Sequence, residues 1–295
     1  MTTRMTTMPT TTIRIAHSPD SDDAFMFYAL AEGKIDTDGI VYIHELSDIE
    51  SLNQRALRGE LEVTAVSIHA YAYLADRYVL LPHGASMGDR YGPRLVARTA
   101  MSRADVKGKR IAVPGALTTA FLTLKLYEPD FVAVQTPFDK IEEAVINGDV
   151  DLGLLIHEGQ LTFGDIGLQL VEDMGEWWYQ ETGLPLPLGG NVIRKDLGTD
   201  LIQTISRHLY DSIAYGLRHR HKALDHAMRY ARGLERERAD TFVGMYVNEL
   251  TLDYGEKGRE AVRRLLARGV EAGIINHPVT VEFASDAVDN RRRGP

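Results

Sequence analysis

The 295-residue sequence contains no cysteine, which excludes disulfides, a thiolate nucleophile and any cysteine-ligated metal. Nothing in it demands an oxidising compartment. Long apolar runs are also missing. No segment approaches the length of a membrane span, and the first twenty residues, MTTRMTTMPTTTIRIAHSPD, never assemble the apolar stretch of about 7 to 15 residues that a secretory signal needs. The expectation is a cytoplasmic protein with no membrane partner. Positive charge is in deficit: a net charge of −9 argues against nucleic acid as a partner, because that binding is driven by clustered Lys and Arg. The basic stretch Arg291-Arg292-Arg293 reads as a solvated terminus. Tryptophan is limited to the adjacent pair Trp177-Trp178, expected to be core or cleft wall, with stacking on an aromatic substrate as the sharper alternative. No internal repeat, phosphate-loop ending or H-E-x-x-H pair occurs.

What remains is an ordinary globular composition, 44% hydrophobic and 25% charged, at a length that favours two units. Residues 1–11 are Thr- and Met-rich without period and are expected to be a disordered leader. From Thr12, β-branched runs at 13–17, 40–45, 61–66, 110–114, 131–134 and 151–156 alternate with helical patterns at 24–32, 47–58, 69–75, 118–127 and 139–147. This rhythm predicts βα units and largely parallel sheets. The run from Tyr91 to Ala97, with Gly92-Pro93 at its start, reads as an extended crossover, and the Pro-rich stretch from Gly183 to Gly190 as a stiff connection back. Between 199 and 273 the period is helical, with Leu201, Ile205, Leu209, Ile213 and Leu217 four apart. The predicted organisation is a two-domain α/β protein: a first part over 1–97, an inserted domain over 98–194, a helical return over 195–295, and a ligand cleft between the halves.

In open α/β sheets ligands bind beyond the carboxyl ends of strands, which selects four places. Ser18 and the cluster Asp20-Ser21-Asp22-Asp23 follow the first strand. The acids suit helix capping, or an oxygen-ligated divalent ion if further ligands come from elsewhere. Ala65-Val66-Ser67 ends the third strand. Thr118-Thr119-Ala120 opens a helix, where hydroxyls and free N–H groups favour an anion such as a carboxylate, plain N-caps being the alternative. Finally, the apolar run Leu154-Leu155-Ile156 ends in His157-Glu158. An imidazole there, with a reference pKa near 6.5, can exchange protons at neutral pH, with Glu158 as the group that would orient it. A satisfied structural histidine is the competing reading. No metal and no organic cofactor is implied.

These residues carry a resemblance. Ser18-Pro19 with Asp23 and Phe25-Met26-Phe27-Tyr28-Ala29-Leu30, then Ser67, Val113-Pro114-Gly115 with Thr118-Thr119-Ala120, Ile156-His157-Glu158, Gly183-Leu184-Pro185-Leu186-Pro187-Leu188-Gly189, Tyr246-Val247-Asn248 and Leu252-Asp253 resemble the 1,4-dihydroxy-6-naphthoate synthase family. The resemblance implies a type-II periplasmic-binding-protein fold. It also implies a carbon–carbon lyase of the futalosine pathway of menaquinone biosynthesis, converting cyclic dehypoxanthinylfutalosine to 1,4-dihydroxy-6-naphthoate. On it, the proton acceptor falls on His157, and contacts to a small carboxylate substrate fall on Ala65, Val66, Ser67, Thr118 and Thr119, with Ser18 and Asp23 in the first motif. The sequence departs from the family after Ser-Pro, where Cys-Pro-Asn-Asp-Thr is replaced by Asp20-Ser21-Asp22-Asp23-Ala24. The added carboxylate would repel an acidic ligand unless a cation stands beside it. Alternatives on the same fold are a paralogue with a related substrate, a chorismate dehydratase, which tends to carry Gly-Asp in place of His157-Glu158, and a non-catalytic carboxylate-binding protein. Oligomeric state is left open.

Overall fold

The computed structural model describes residues 11–285; the expected leader up to Thr10 and the Arg291-Arg292-Arg293 stretch lie outside them. The chain begins β1 (Thr12–His17), α1 (Ser21–Ala31), β2 (Val41–Leu46), α2 (Ile49–Leu57), β3 (Val63–Ser67), α3 (Ile68–Tyr71), β4 (Tyr78–Leu80) and β5 (Ser86–Gly88). It continues β6 (Arg94–Ala97), β7 (Arg110–Val113), α4 (Thr119–Tyr127), β8 (Val132–Gln135), α5 (Ile141–Asn147), β9 (Leu152–Leu155), α6 (Gly159–Thr162), β10 (Gln169–Asp173) and α7 (Met174–Thr182). It ends β11 (Leu186–Arg194), α8 (Thr199–Arg218), α9 (Arg220–Ala227), α10 (Arg236–Tyr246), α11 (Glu249–Leu252) and α12 (Gly255–Glu271).

Two sheets result. The first has the order β2-β1-β3-β11-β4, with β5 pairing β11, and the second the order β10-β6-β9-β7-β8. Strand β1 runs parallel to β2 and β3, and β7 parallel to β8 and β9, as βα units require. The expectation of largely parallel sheets holds for those strands alone. Strand β11 is antiparallel to β3, β4 and β5, and β6 is antiparallel to β9 and β10. Strands added by an extended crossover need no covering helix, so they join antiparallel.

Arg94–Ala97 lies in the second sheet and Leu186–Arg194 in the first. From Leu186 the Pro-rich connection is a strand. Its pairing with β5 shifts register between Pro187 and Gly189, the irregularity at which a proline without an N–H is tolerated. Helix α1 is buried nearly all round, through Phe25, Met26, Phe27 and Tyr28, because α8 and α9 cover the side facing away from its sheet. Among the described residues no helix is long and apolar enough to cross a membrane.

Candidate active site

A cavity opens where the strand ends of the two sheets face each other. Ser18, Asp23, Ala65, Val66 and Ser67 line it from the first sheet, and Thr118, Thr119 and His157 from the second. The four sequence-selected places thus converge on one volume. Ala65 and Val66 contribute a wall whose backbone pairs with Asn191 and Gly190 of β11. Ser67 is held by Asn53, whose Nδ2 donates to the Ser67 hydroxyl at 3.1 Å and whose Oδ1 accepts the Ser67 N–H at 2.9 Å.

At the start of α4 the capping reading is satisfied. The Thr118 hydroxyl accepts the Phe121 N–H at 3.2 Å and donates to the Gly115 carbonyl at 2.8 Å. The Thr119 hydroxyl joins the halves, donating to the Leu188 carbonyl at 2.6 Å and accepting the His69 N–H at 3.2 Å. Both hydroxyls are committed to protein partners. What the helix leaves beside the cavity is the backbone N–H groups of Thr119 and Ala120, both of which line it.

His157 sits two residues beyond β9. Its Nδ1 lies 2.9 Å from Asp20 Oδ2, and its ring meets Phe138 edge-on at 4.6 Å. With Nδ1 engaged, Nε2 is left for proton exchange. Burial pulls the imidazole pKa down, but the charge and hydrogen bond of Asp20 outweigh it, and the net shift is upward. Asp20, with 3% of its side chain exposed, also accepts from the Ser18 hydroxyl and pairs with Arg232 at 2.5 Å. Burial alone would raise this carboxyl; His157 and Arg232 bring it down to about 2.

Three expectations are corrected here. Glu158 does not orient the imidazole: it accepts from the Ser21 hydroxyl at 3.3 Å and pairs with Arg232 at 3.4 Å, while Asp20 takes the orienting place. Asp20 occupies the N-cap position of α1 without a side-chain cap bond, being turned to His157 and Arg232 instead. The acids of the cluster do not titrate alike. Asp23, which accepts the Ser18 N–H at 2.7 Å, is pushed up to about 7 by burial and by Asp20, and Asp22 is raised well above the carboxylate range by burial and its acidic neighbours. The cation that the sequence called for is Arg232, lying between Asp20 and Glu158 with its guanidinium 4.4 Å from the centre of the Phe138 ring.

Trp177 and Trp178 are buried in the core and do not line the cavity, so the stacking alternative falls. Among the described residues no group of three or more His, Asp or Glu is placed to hold a metal ion. Sequence reasoning missed Arg232, Gln160 and Phe242. Gln160 lines the cavity with its amide 2.7 Å from the hydroxyl of Tyr246. The demand for a countercharge was the one available signal, and it did not say where the cation lay.

Two α/β lobes meeting at strand ends around a cleft define the periplasmic-binding-protein class of fold, and solved structures agree. The alkanesulfonate-binding protein SsuA from Xanthomonas axonopodis pv. citri, bound to MOPS, superposes with a TM-score of 0.67 at 14% identity, over 92% of this chain and 96% of that one. Residues 13–271 match the family described as menaquinone biosynthesis, and the chain belongs to it. A 1,4-dihydroxy-6-naphthoate synthase from Thermus thermophilus is 42% identical over 89% of this chain and 95% of its own length. A crystal structure of an Archaeoglobus fulgidus protein is 49% identical, with a TM-score of 0.86 over 89% of this chain and 98% of that one.

Proposed function

We propose that this protein is a 1,4-dihydroxy-6-naphthoate synthase, a carbon–carbon lyase that converts cyclic dehypoxanthinylfutalosine to 1,4-dihydroxy-6-naphthoate. The observation that carries the reading is the His157–Asp20 pair at the wall of the cavity, 2.9 Å between Nδ1 and Oδ2. A carboxylate on Nδ1 fixes the tautomer in which Nε2 of the neutral ring accepts a proton. His157 is the general base, removing a carbon-bound proton so that cleavage proceeds toward an aromatic product. The substrate carboxylate sits at the N-terminus of α4, where backbone N–H groups and the helix dipole favour an anion. Ser67 and the β3 backbone form the opposing wall. A protein that only binds a solute has no use for a proton acceptor of this kind, which favours the enzymatic reading over the non-catalytic one.

The test is incubation of the purified protein with cyclic dehypoxanthinylfutalosine and detection of the naphthoate by mass spectrometry. His157→Asn should lose about 10² to 10⁴ in kcat, the usual contribution of a positioned base, with substrate affinity largely kept. Binding without turnover by the wild type would turn the reading to a non-catalytic member of the fold.

A further inference from the structure

The side chains around His157 come from distant parts of the chain. Asp20 follows β1 in the first sheet, His157 and Glu158 follow β9 in the second, and Arg232 precedes α10 in the helical return. The Arg232 guanidinium reaches Asp20 at 2.5 Å and Glu158 at 3.4 Å, so one cation joins a carboxylate from each side of the cleft. His157 and Arg232 are two of the four non-glycine residues with positive φ among the described residues, at 63° and 48°. Both are partners of Asp20, and residues held in that uncommon conformation by their surroundings cluster at functional sites.

We propose that Asp20 is the positioning residue of His157 and Arg232 the cation that compensates it, so that the imidazole–carboxylate pair is assembled only where the two strand ends meet across the cleft. This rests on the reading of His157 as the base. An unpaired carboxylate as buried as Asp20 would protonate or repel an acidic ligand. Paired with Arg232 it stays ionised and holds Nδ1–H, which leaves Nε2 toward the substrate. The charged groups that act on the imidazole are Asp20 and Asp22 from the start of α1, Glu158 on its own turn and Arg232. Asp139, Glu142, Glu235 and Arg238 line a second cavity that His157 also lines. Of these, Asp20 alone is within hydrogen-bond distance of a ring nitrogen among the described residues.

A role that is only structural and a role in positioning separate on pH. The base must be neutral, so kcat/KM rises with pH through the His157 pKa, which Asp20 raises. In Asp20→Asn that inflection should move to lower pH, while the plateau falls about 100-fold and KM changes far less. Independently of activity, nitrogen NMR of histidine-labelled protein, with His157→Gln to assign the resonance, should show the Nδ1–H tautomer in the wild type. The His157 titration should move to lower pH in Asp20→Asn. If Asp20→Asn fails to fold, adding Arg232→Gln removes the cation as well, and the His157 titration should still move to lower pH, since Asp20 raises it by more than Arg232 lowers it. A plateau that falls with the inflection and the NMR titration unmoved overturns the proposal. A wild type that makes no naphthoate, but whose His157 titration follows Asp20, supports the pairing and removes the reaction proposed for it.

Discussion

At His157 the chain leaves β9 with φ at 63°, and that one dihedral turns the imidazole toward Asp20 rather than along the strand. The sequence made His157, Ser18, Ser67 and the Thr pair legible because strand ends face clefts in this class of fold, whatever the details. It did not make the Asp20–Arg232 pair legible, because 212 positions separate the two residues and no spacing rule connects them. The adjacent acid in sequence, Glu158, was the natural choice of orienter, yet its side chain is spent on Ser21 and Arg232. A second buried histidine permits a prediction with a definite sign. His69 sits behind the α4 N-terminus with Nδ1 3.3 Å from the Thr118 carbonyl, and burial lowers its pKa to about 4. Unfolded, it takes up a proton near pH 6.5, so between those values the unfolded chain binds the extra proton and stability is lost as pH falls. His69→Asn, whose amide can reach the same carbonyl, escapes that loss. Urea unfolding should show the gap between wild type and variant shifting in favour of the variant by about 2 kcal/mol between pH 7.5 and pH 5, at 1.36 kcal/mol per unit. A gap independent of pH would mean that His69 is not held neutral.

Among the elements, the βα pairs were readable from their β-branched runs and caps, and β6 as part of the extended run 91–97, but the other antiparallel additions were not. Strand β5 is Ser-Met-Gly, without a β-branched residue; β10 is part-exposed and polar; β11 contains Pro187. Each is held by partners far away in sequence, and propensity has little to say where cross-strand contacts decide. The same region shows why its glycines are there. Gly88 and Gly175 flank the carbonyl of Tyr91, and a Cβ on either would collide with that oxygen. The crossover into the second sheet and the start of α7 therefore meet backbone to backbone. Gly175→Ala should cost about 1 to 3 kcal/mol by overpacking against main chain that cannot rotate away. It should also lower naphthoate formation if the clash spreads the lobes. Denaturant midpoints and turnover measured together check this, and a variant with wild-type stability would mean that the Tyr91 loop yields freely.

For the whole molecule, we propose that the second sheet and its helices form a domain inserted between β5 and β11, two crossovers apart from the rest. Such an insertion invites the expectation that the lobes unfold separately. The core argues the other way. One cluster of buried side chains runs from Val66, Leu80 and Val192 of the first sheet through Trp177, Trp178 and Leu186 to Leu95, Ile111 and Leu152 of the second, with Val262 and Leu265 of α12 against it. Polar contacts follow the same line, with Thr119 bonded to Leu188 and His69, and the Leu117 N–H donated to Glu50 at 3.2 Å. Opening one lobe alone would expose apolar surface of the other, at about 25 cal/mol per Å². The cooperative unit should therefore be the whole described chain, not the lobe. Both tryptophans of the protein lie in this shared core, so their fluorescence reports on the junction while far-ultraviolet circular dichroism reports on all the helices. The two signals should give one coincident transition in urea. A fluorescence change that precedes the loss of helix would show the junction yielding first. In that case the His157–Asp20 pair, which spans the same cleft, should be lost with it, and activity should fall at the fluorescence midpoint rather than at the later one.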